Sequence, residues 1–463
     1  MAKVVRQALA TRRASRQFRK LRDAPGRVSP LRRRKSLSGV LPRQPSTISV
    51  VATLHGVPGT ARSGALERAR ATKVAAIARA EVLTAAVPGG AAAGVGRLEM
   101  HGYTNKGGRP SSAKENQDTY FSHTIDDKGN VVAGVFDGHG ADNGALASAA
   151  ARDAARTFLV AHFAELRVAP EQTMTACFEA ANRAVFEALK GVERHWEQDG
   201  LLLMDVDEDD WPLGHDAIDG GTTASIVALL DGKTLVYAAV GDSCGVLSRA
   251  PPGAGIEVEE LVPEHAPTNV DDWRSFLAGS GLLAVYSHEA MFDGPDQLLH
   301  VFRRDEAGGW FYDDEALKRA DTLGVGFKTE RGDRATVILT PEEGPFSQMM
   351  LGVSRSLGDF YHQSYGLSWR PQVVVRDVSE ACGAAPFAVL LVASDGVWDH
   401  WTFEAAMAEL MPTADANGHH SPPDKAAAMA FFEKTRANGA ASFGDQADNL
   451  TGVVLCVPRP LEI

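Results

Sequence analysis

Residues 131–140 read Val131-Val132-Ala133-Gly134-Val135-Phe136-Asp137-Gly138-His139-Gly140. The first six are small or apolar at both alternating sets of positions, the pattern of a strand packed on both faces. The run then stops in a carboxylate, a Gly, a His and a Gly. A strand end holds an Asp side chain rigidly, and Gly lets the backbone come close to an ion. Asp oxygens suit hard cations such as Mg²⁺ and Mn²⁺. A His beside them is suited to give a proton to a leaving oxygen near neutral pH. Taken alone, the stretch also reads as an ordinary strand-to-turn exit, because Asp and Gly are common in turns.

Moving outward, the same grammar recurs. Strand-sized apolar runs cover Thr223–Leu230, Thr234–Val240, Ala388–Ala393 and Leu450–Val457. Val240-Gly241-Asp242-Ser243 closes one, and Ala393-Ser394-Asp395-Gly396-Val397-Trp398-Asp399 closes another. Asp448-Asn449 opens the last run, and Glu115-Asn116-Gln117-Asp118 opens Thr119-Tyr120-Phe121. Between the runs, i, i+3, i+4 apolar spacing predicts helices over about Asp142–Leu166 and Glu171–Trp196, and a third helical zone follows Trp401. Strands grouped around paired helices imply α+β layering. Clustered unpaired acids repel one another. Two divalent cations about 3.5–4 Å apart relieve that repulsion, and they can share a bridging water and activate it for attack on phosphorus.

The ordered motifs now carry a resemblance. Glu115–Asp118, Asp137–Gly140, Gly221-Thr222-Thr223-Ala224, Val240–Ser243, Val353-Ser354-Arg355-Ser356-Leu357-Gly358-Asp359, Ala393–Asp399 and Ala447-Asp448-Asn449-Leu450-Thr451 resemble the type 2C, metal-dependent protein serine/threonine phosphatase family. The match runs from about Leu98 to Val457, and the order and spacing of the motifs are far more specific than any one of them. The resemblance implies a four-layer α-β-β-α sandwich with two central, mainly antiparallel sheets. It implies two Mg²⁺ or Mn²⁺ ions, with a third in some members. Asp137 would bridge the two ions, and the Gly138 carbonyl would bind one of them. Asp395 and Asp448 would complete one ion's shell, and Asp118 would hold the second side through water. His139 would be the general acid. Asp242 and Asp399 match the positions of the weaker third ion. The implied reaction is direct hydrolysis of phosphoserine or phosphothreonine by a water bridging two cations.

The departures are specific. Many members have Glu where Gln117 stands, so a charge is missing beside Asp118. Others grip the phosphate with an Arg just upstream. Here the nearest basic side chain is Lys114, with Arg109 a weaker alternative, and a Lys offers a point charge but no bidentate fork. Cys244 replaces the usual Arg after Gly-Asp-Ser. Arg355 reads as a partner of Asp359, or as a tie between a lid and the core, in preference to a phosphate ligand.

Composition bounds the rest. The chain has 463 residues, is 44% hydrophobic and carries a formal net charge of −12, which suits a large core and argues against a nucleic-acid surface. Residues 1–96 read as a basic, Ser-, Arg- and Ala-rich extension, largely disordered, with a short helix around Leu66–Ala78. Its Arg12-Arg13-Ala14-Ser15 and Arg32-Arg33-Arg34-Lys35-Ser36 runs suit a solvated tail, kinase acceptor sites or an organellar transit peptide. Residues 97–460 read as the catalytic domain, with a lid or flap insertion at about 250–345 that includes Trp273 and Trp310. The acidic run Asp205–Asp210 lacks the Gly and Glu of a calcium loop and reads as a solvated loop. Cys177, Cys244, Cys382 and Cys456 show no metal or disulfide spacing. No apolar run reaches the roughly 20 residues that span a bilayer. These features suit an intracellular monomer, cytoplasmic or nuclear, acting on phosphorylated proteins. The competing reading is a pseudophosphatase, the same fold used as a binding module. Its signature would be lost metal ligands, whereas Asp118, Asp137, Asp395 and Asp448 are all present.

Overall fold

A computed structural model describes residues 84–86, 98–108, 115–208, 211–411 and 420–460. The basic stretch, the helix expected around Leu66–Ala78, and both Arg109 and Lys114 lie outside the described residues. In chain order, β1 (Thr84–Ala86), β2 (Glu99–Asn105), β3 (Thr119–Thr124) and β4 (Val131–Phe136) precede helices α1 (Gly144–Ala161) and α2 (Pro170–Lys190). Then come β5 (Ala224–Leu230), β6 (Thr234–Val240), β7 (Cys244–Arg249) and β8 (Glu257–Glu260). After a long excursion follow β9 (Gln372–Asp377), β10 (Phe387–Ala393), α3 (Phe403–Leu410), α4 (Lys425–Phe443) and β11 (Leu450–Pro458).

These strands make two antiparallel sheets, ordered β1-β2-β11-β10-β7-β8 and β9-β6-β5-β4-β3. The two-residue period of each strand sorts its side chains into layers. On β4, Val131, Ala133 and Val135 pack with Leu390, Val392, Val453 and Leu455 of the other sheet. The alternate residues Val132 and Phe136 pack with Ala147, Ala151 and Ala155 of α1 and Phe178 of α2. On the far side, Val389, Leu391 and Val454 meet Met407 of α3, Phe431 and Phe432 of α4, and Trp398. The result is helix, sheet, sheet, helix. The sheet-facing stripe of α1 is built of Ala at i, i+4 spacing, so the helix lies close to the sheet. That closeness sets the N-terminus of α1 against the exit of β4.

The boundaries differ from expectation in three places. The first predicted helix breaks at His162, whose amide and Nδ1 both bond the Phe158 carbonyl, and a short helix Phe163–Val168 follows. The second ends at Lys190, not Trp196. Gly191 closes it, His195 Nδ1 turns back to the Leu189 carbonyl, and Trp196 enters a strand, His195–Gln198. The acidic run is no loop over its first residues. Asp205 lies in Leu201–Glu208, which pairs with His195–Gln198 and Trp211–Ala217 because Leu203 and Ala217 bury one face of this sheet.

The excursion is also more ordered than an irregular lid. Leu283–Tyr286, Thr336–Leu339 and Met350–Leu351 form an antiparallel sheet, beside the hairpin Phe302–Arg304/Trp310–Tyr312 and a helix Asp314–Leu323. Trp273, Leu277, Val301, Phe302 and Ile338 give it a core of its own. A buried ion pair links it to the segment that returns to the sandwich. Asp272 accepts from Arg355 Nη2 at 2.5 Å and from Ser354 Oγ at 2.6 Å. Arg355 therefore pairs with Asp272 and not with Asp359.

A candidate metal centre at the sheet ends

The site grows from one edge of the sandwich. β4 runs out to Asp137, β6 to Asp242 and β10 to Asp395, and the turns before β3 and β11 supply Asp118 and Asp448. Asp118, Asp242, Asp395 and Asp399 are buried, whereas Asp137 and Asp448 are half-buried. Burial comes first in raising the Asp118 pKa, followed by the charges of Asp448 and Asp395. The Asp137 pKa is pushed well above the ordinary carboxylate range by loss of water and then by Asp118, Asp395 and Asp448. These four sequence-predicted residues are therefore electrostatic neighbours.

Backbone and hydroxyl contacts fix the Asp137 backbone and the Asp118 carboxylate. The Asp137 amide donates to Thr223 Oγ1 at 3.1 Å, while Thr222 Oγ1 and the Thr223 amide donate to its carbonyl, both at 2.9 Å. The Gly-Thr-Thr-Ala motif thus clamps the end of β4. Ser394 Oγ donates to Asp118 Oδ2 at 2.8 Å and accepts from the Thr451 amide at 3.0 Å, so Asp118 is tied to the second sheet. At Gly138 a Cβ would overlap the carbonyl oxygens of Gly144 and Gln117, so a side chain is excluded there. At Gly396 a Cβ would overlap the Asn449 carbonyl, which is how closely the Asp395 turn packs on the Asp448 turn.

Several contributors escape sequence reasoning. Asn449 is buried; its Nδ2 donates to the carbonyls of Lys106 at 2.7 Å and Glu115 at 3.1 Å, and its Oδ1 accepts from the Gln117 amide at 2.8 Å. One side chain thereby joins both flanks of the segment that leads to Asp118. Asn449→Ala leaves these backbone groups to find other partners. We expect a loss of about 2–3 kcal/mol in urea unfolding and weaker divalent-cation binding by titration calorimetry. Unchanged affinity would show that Asp118 does not depend on this clamp.

Gln117 braces a neighbouring loop: its Nε2 donates to the Gly140 carbonyl at 2.9 Å, just after Asp137. Asp359 was visible as the end of a motif but not as a partner of His139. Its Oδ2 accepts from His139 Nε2 at 2.7 Å and from Ser356 Oγ at 2.6 Å, and it holds a left-handed backbone with φ 50°. Burial opposes charge on His139, but Asp359 outweighs it, aided by Asp242 and Asp219, so the His139 pKa is raised. Lys328, from the excursion, reaches Asp242 Oδ2 at 2.5 Å and Asp395 Oδ2 at 3.2 Å. Nothing in the local sequence around Lys328 marks it for this place.

The donor set suits hard divalent cations. It consists of carboxylates that repel one another, and the repulsion adds to burial in raising the pKa of Asp118 and Asp137. Asp118 Oδ1 and Asp399 Oδ1 are buried without a hydrogen-bond partner, and oxygens of that kind are costly to leave unmet. A tighter cluster, Cys244, Glu260 and Glu264, lies nearby with donor atoms within 4.8 Å of one another. There, Arg331 Nη2 already pairs with Glu264 Oε1 at 2.6 Å, and burial raises the Cys244 thiol pKa well above its usual value. All four cysteines are free and buried.

No protein-family model matches the chain. It is similar to "Probable protein phosphatase 2C 61" of Arabidopsis thaliana, 24% identical over 307 residues, covering 66% of this chain and 71% of that protein. It is likewise similar to "Probable protein phosphatase 2C 69" of the same plant, 26% identical over 358 residues, with 77% and 69% covered. Among solved structures, serine-threonine phosphatase 2C from Toxoplasma gondii aligns over 82% of this chain and 99% of its own, at 18% identity and a TM-score of 0.46. With its ordered motifs, its two antiparallel sheets and these relatives, the chain is similar to the type 2C protein phosphatases.

Proposed function

We propose that the chain is a protein serine/threonine phosphatase that hydrolyses phosphoserine and phosphothreonine with two divalent cations, Mg²⁺ or Mn²⁺. Asp118, Asp137, Asp395, Asp448 and the Gly138 carbonyl would hold them. The observation that carries this reading is the meeting of four carboxylates from separate segments, with pKa values raised at Asp118 and Asp137. Cations bound there would offset that repulsion, draw in the phosphate and activate the attacking water.

The chain's own residues supply the rest. Thr222 and Thr223 fix the Asp137 backbone, and Ser394 fixes the Asp118 carboxylate. Asp359 favours the cationic form of His139 and holds it at Nε2, which leaves Nδ1–H as the proton to give to the leaving Ser or Thr oxygen. Ser356 holds Asp359 in turn. We read residues 97–460 as the catalytic domain and 250–345 as its insertion. Lys114 stays a proposal for phosphate contact. Among the described residues no helix is long and apolar enough to cross a membrane.

The purified chain should hydrolyse a phosphothreonine peptide only with Mn²⁺ or Mg²⁺. Excess chelator should bring the rate to background, and added cation should restore it. Turnover that persists in chelator sinks the two-cation reading.

A further inference from the structure

The acidic site is not uniform. At one end, Asp118 and Asp137 feel the charges of Asp395 and Asp448. At the other end lie Asp242, Asp395 and Asp399, and there a cation is already part of the chain. The Lys328 ammonium touches Asp242 Oδ2 at 2.5 Å and Asp395 Oδ2 at 3.2 Å. The Lys328 side chain is 15% exposed.

Lys328 is not a passing surface side chain, because its loop is built to deliver it. The Lys328 amide donates to the Asp333 carbonyl at 2.7 Å, and Thr329 Oγ1 donates to Asp333 Oδ2 at 2.6 Å, which closes a tight loop. Arg331 pins that loop to the sandwich. It pairs with Glu264, reaches the Trp398 carbonyl at 3.5 Å and lies 4.6 Å from the Phe403 ring centroid. Trp398 neighbours Asp399 on the turn that begins at Asp395, so the loop is anchored beside the carboxylates that Lys328 serves.

We propose that Lys328 is a resident cation of this site: its ammonium takes the place that a third metal ion would hold among Asp242, Asp395 and Asp399, so the chain binds two divalent ions and not three. An ammonium and a divalent ion repel each other and compete for the same carboxylate oxygens. A covalently attached cation also needs no supply from solution, so part of the negative charge at that end of the site is offset at any metal concentration. The inference rests on the two-cation reading above and adds the count and the reason for it.

The test is a Mn²⁺ count by equilibrium dialysis and by the free-ion electron paramagnetic resonance signal, on the full chain. Wild type should take up two Mn²⁺ per chain. Lys328→Gln, which keeps length and removes charge, should take up a third ion with at least a tenfold tighter third-site affinity than wild type. Lys328→Arg, which keeps the charge, should stay at two and controls for disturbance of the loop. Two ions in both wild type and Lys328→Gln overturn the inference and leave the proposed function standing. Three in wild type also overturn it, and that measurement needs no variant to fold. No bound Mn²⁺ in wild type overturns the proposed function, and this inference falls with it.

Discussion

Asp137→Asn should abolish phosphopeptide turnover, by about 10³-fold or more, while leaving the metal-free chain folded and more resistant to heat. The two halves have one cause. The Asp137 pKa is raised by partial loss of water and by Asp118, Asp395 and Asp448. A carboxylate whose folded pKa lies above its unfolded value is ionised at a cost once pH exceeds the unfolded value. At neutral pH that cost is present in the folded protein, and an Asn removes it. The amide keeps the size of the side chain and can donate to its acidic neighbours, so the clamp from Thr222 and Thr223 on the backbone stays intact. The same change removes an anionic donor from the cations. Wild type should gain thermal stability with Mn²⁺, by roughly 3 kcal/mol at a hundred times the dissociation constant, and the variant should gain much less. Melting curves in chelator and in Mn²⁺ read both effects. A variant less stable than wild type in chelator, or one with near-normal turnover, would remove Asp137 from the centre.

His139→Ala should divide substrates by leaving group. A Ser or Thr oxygen departs as a poor leaving group unless it is protonated, and a general acid typically contributes about 10²–10⁴-fold. An aryl phosphate departs with little help. Peptide hydrolysis should therefore fall within that range, while hydrolysis of p-nitrophenyl phosphate falls far less. Asp359→Asn should show the same split in weaker form. It removes the carboxylate that holds His139 Nε2 at 2.7 Å and favours the charged ring, but it leaves the ring itself. Equal losses on both substrates would place His139 in support of the fold and not in proton transfer.

Much of the sandwich was legible because its strands are short apolar runs with a two-residue period. β4 and β6 have the predicted bounds, while β5, β10 and β11 fall within one residue of theirs. Helix ends were less so. The stop at Lys190 depends on Gly191 and on a ring nitrogen of His195 that turns back to Leu189, a tertiary detail that apolar spacing does not encode. The acidic run was misread because charge suggests solvent, whereas the pairing of Leu201–Glu208 is decided by its other face. At the site, the carboxylates could be found because each stands at a strand end. The groups that hold them are legible only in part. Thr222, Thr223, Ser394, Asn449 and Asp359 sit inside recognisable motifs, but their contacts cross long sequence gaps, and Lys328 lies in no motif at all. Lys328 comes from the excursion, and only folding brings its ammonium to Asp242, 86 positions away.

β2 and β11 lie side by side, from Glu99↔Cys456 to Asn105↔Leu450, and the bond from Gln117 to Asn449 joins residues 332 positions apart. During synthesis, a ribosome adding about 5–20 residues per second would take roughly 15–65 s to travel from one partner to the other. β2 would wait through that interval, and β10 through its last part, for the strand that belongs between them. A nascent chain stalled before Leu450 would carry Asp118, Asp137 and Asp395 but have no centre in which to set them. Incomplete translation products would then be inactive by topology, and their open sheet edges would be surfaces for chaperones to cover.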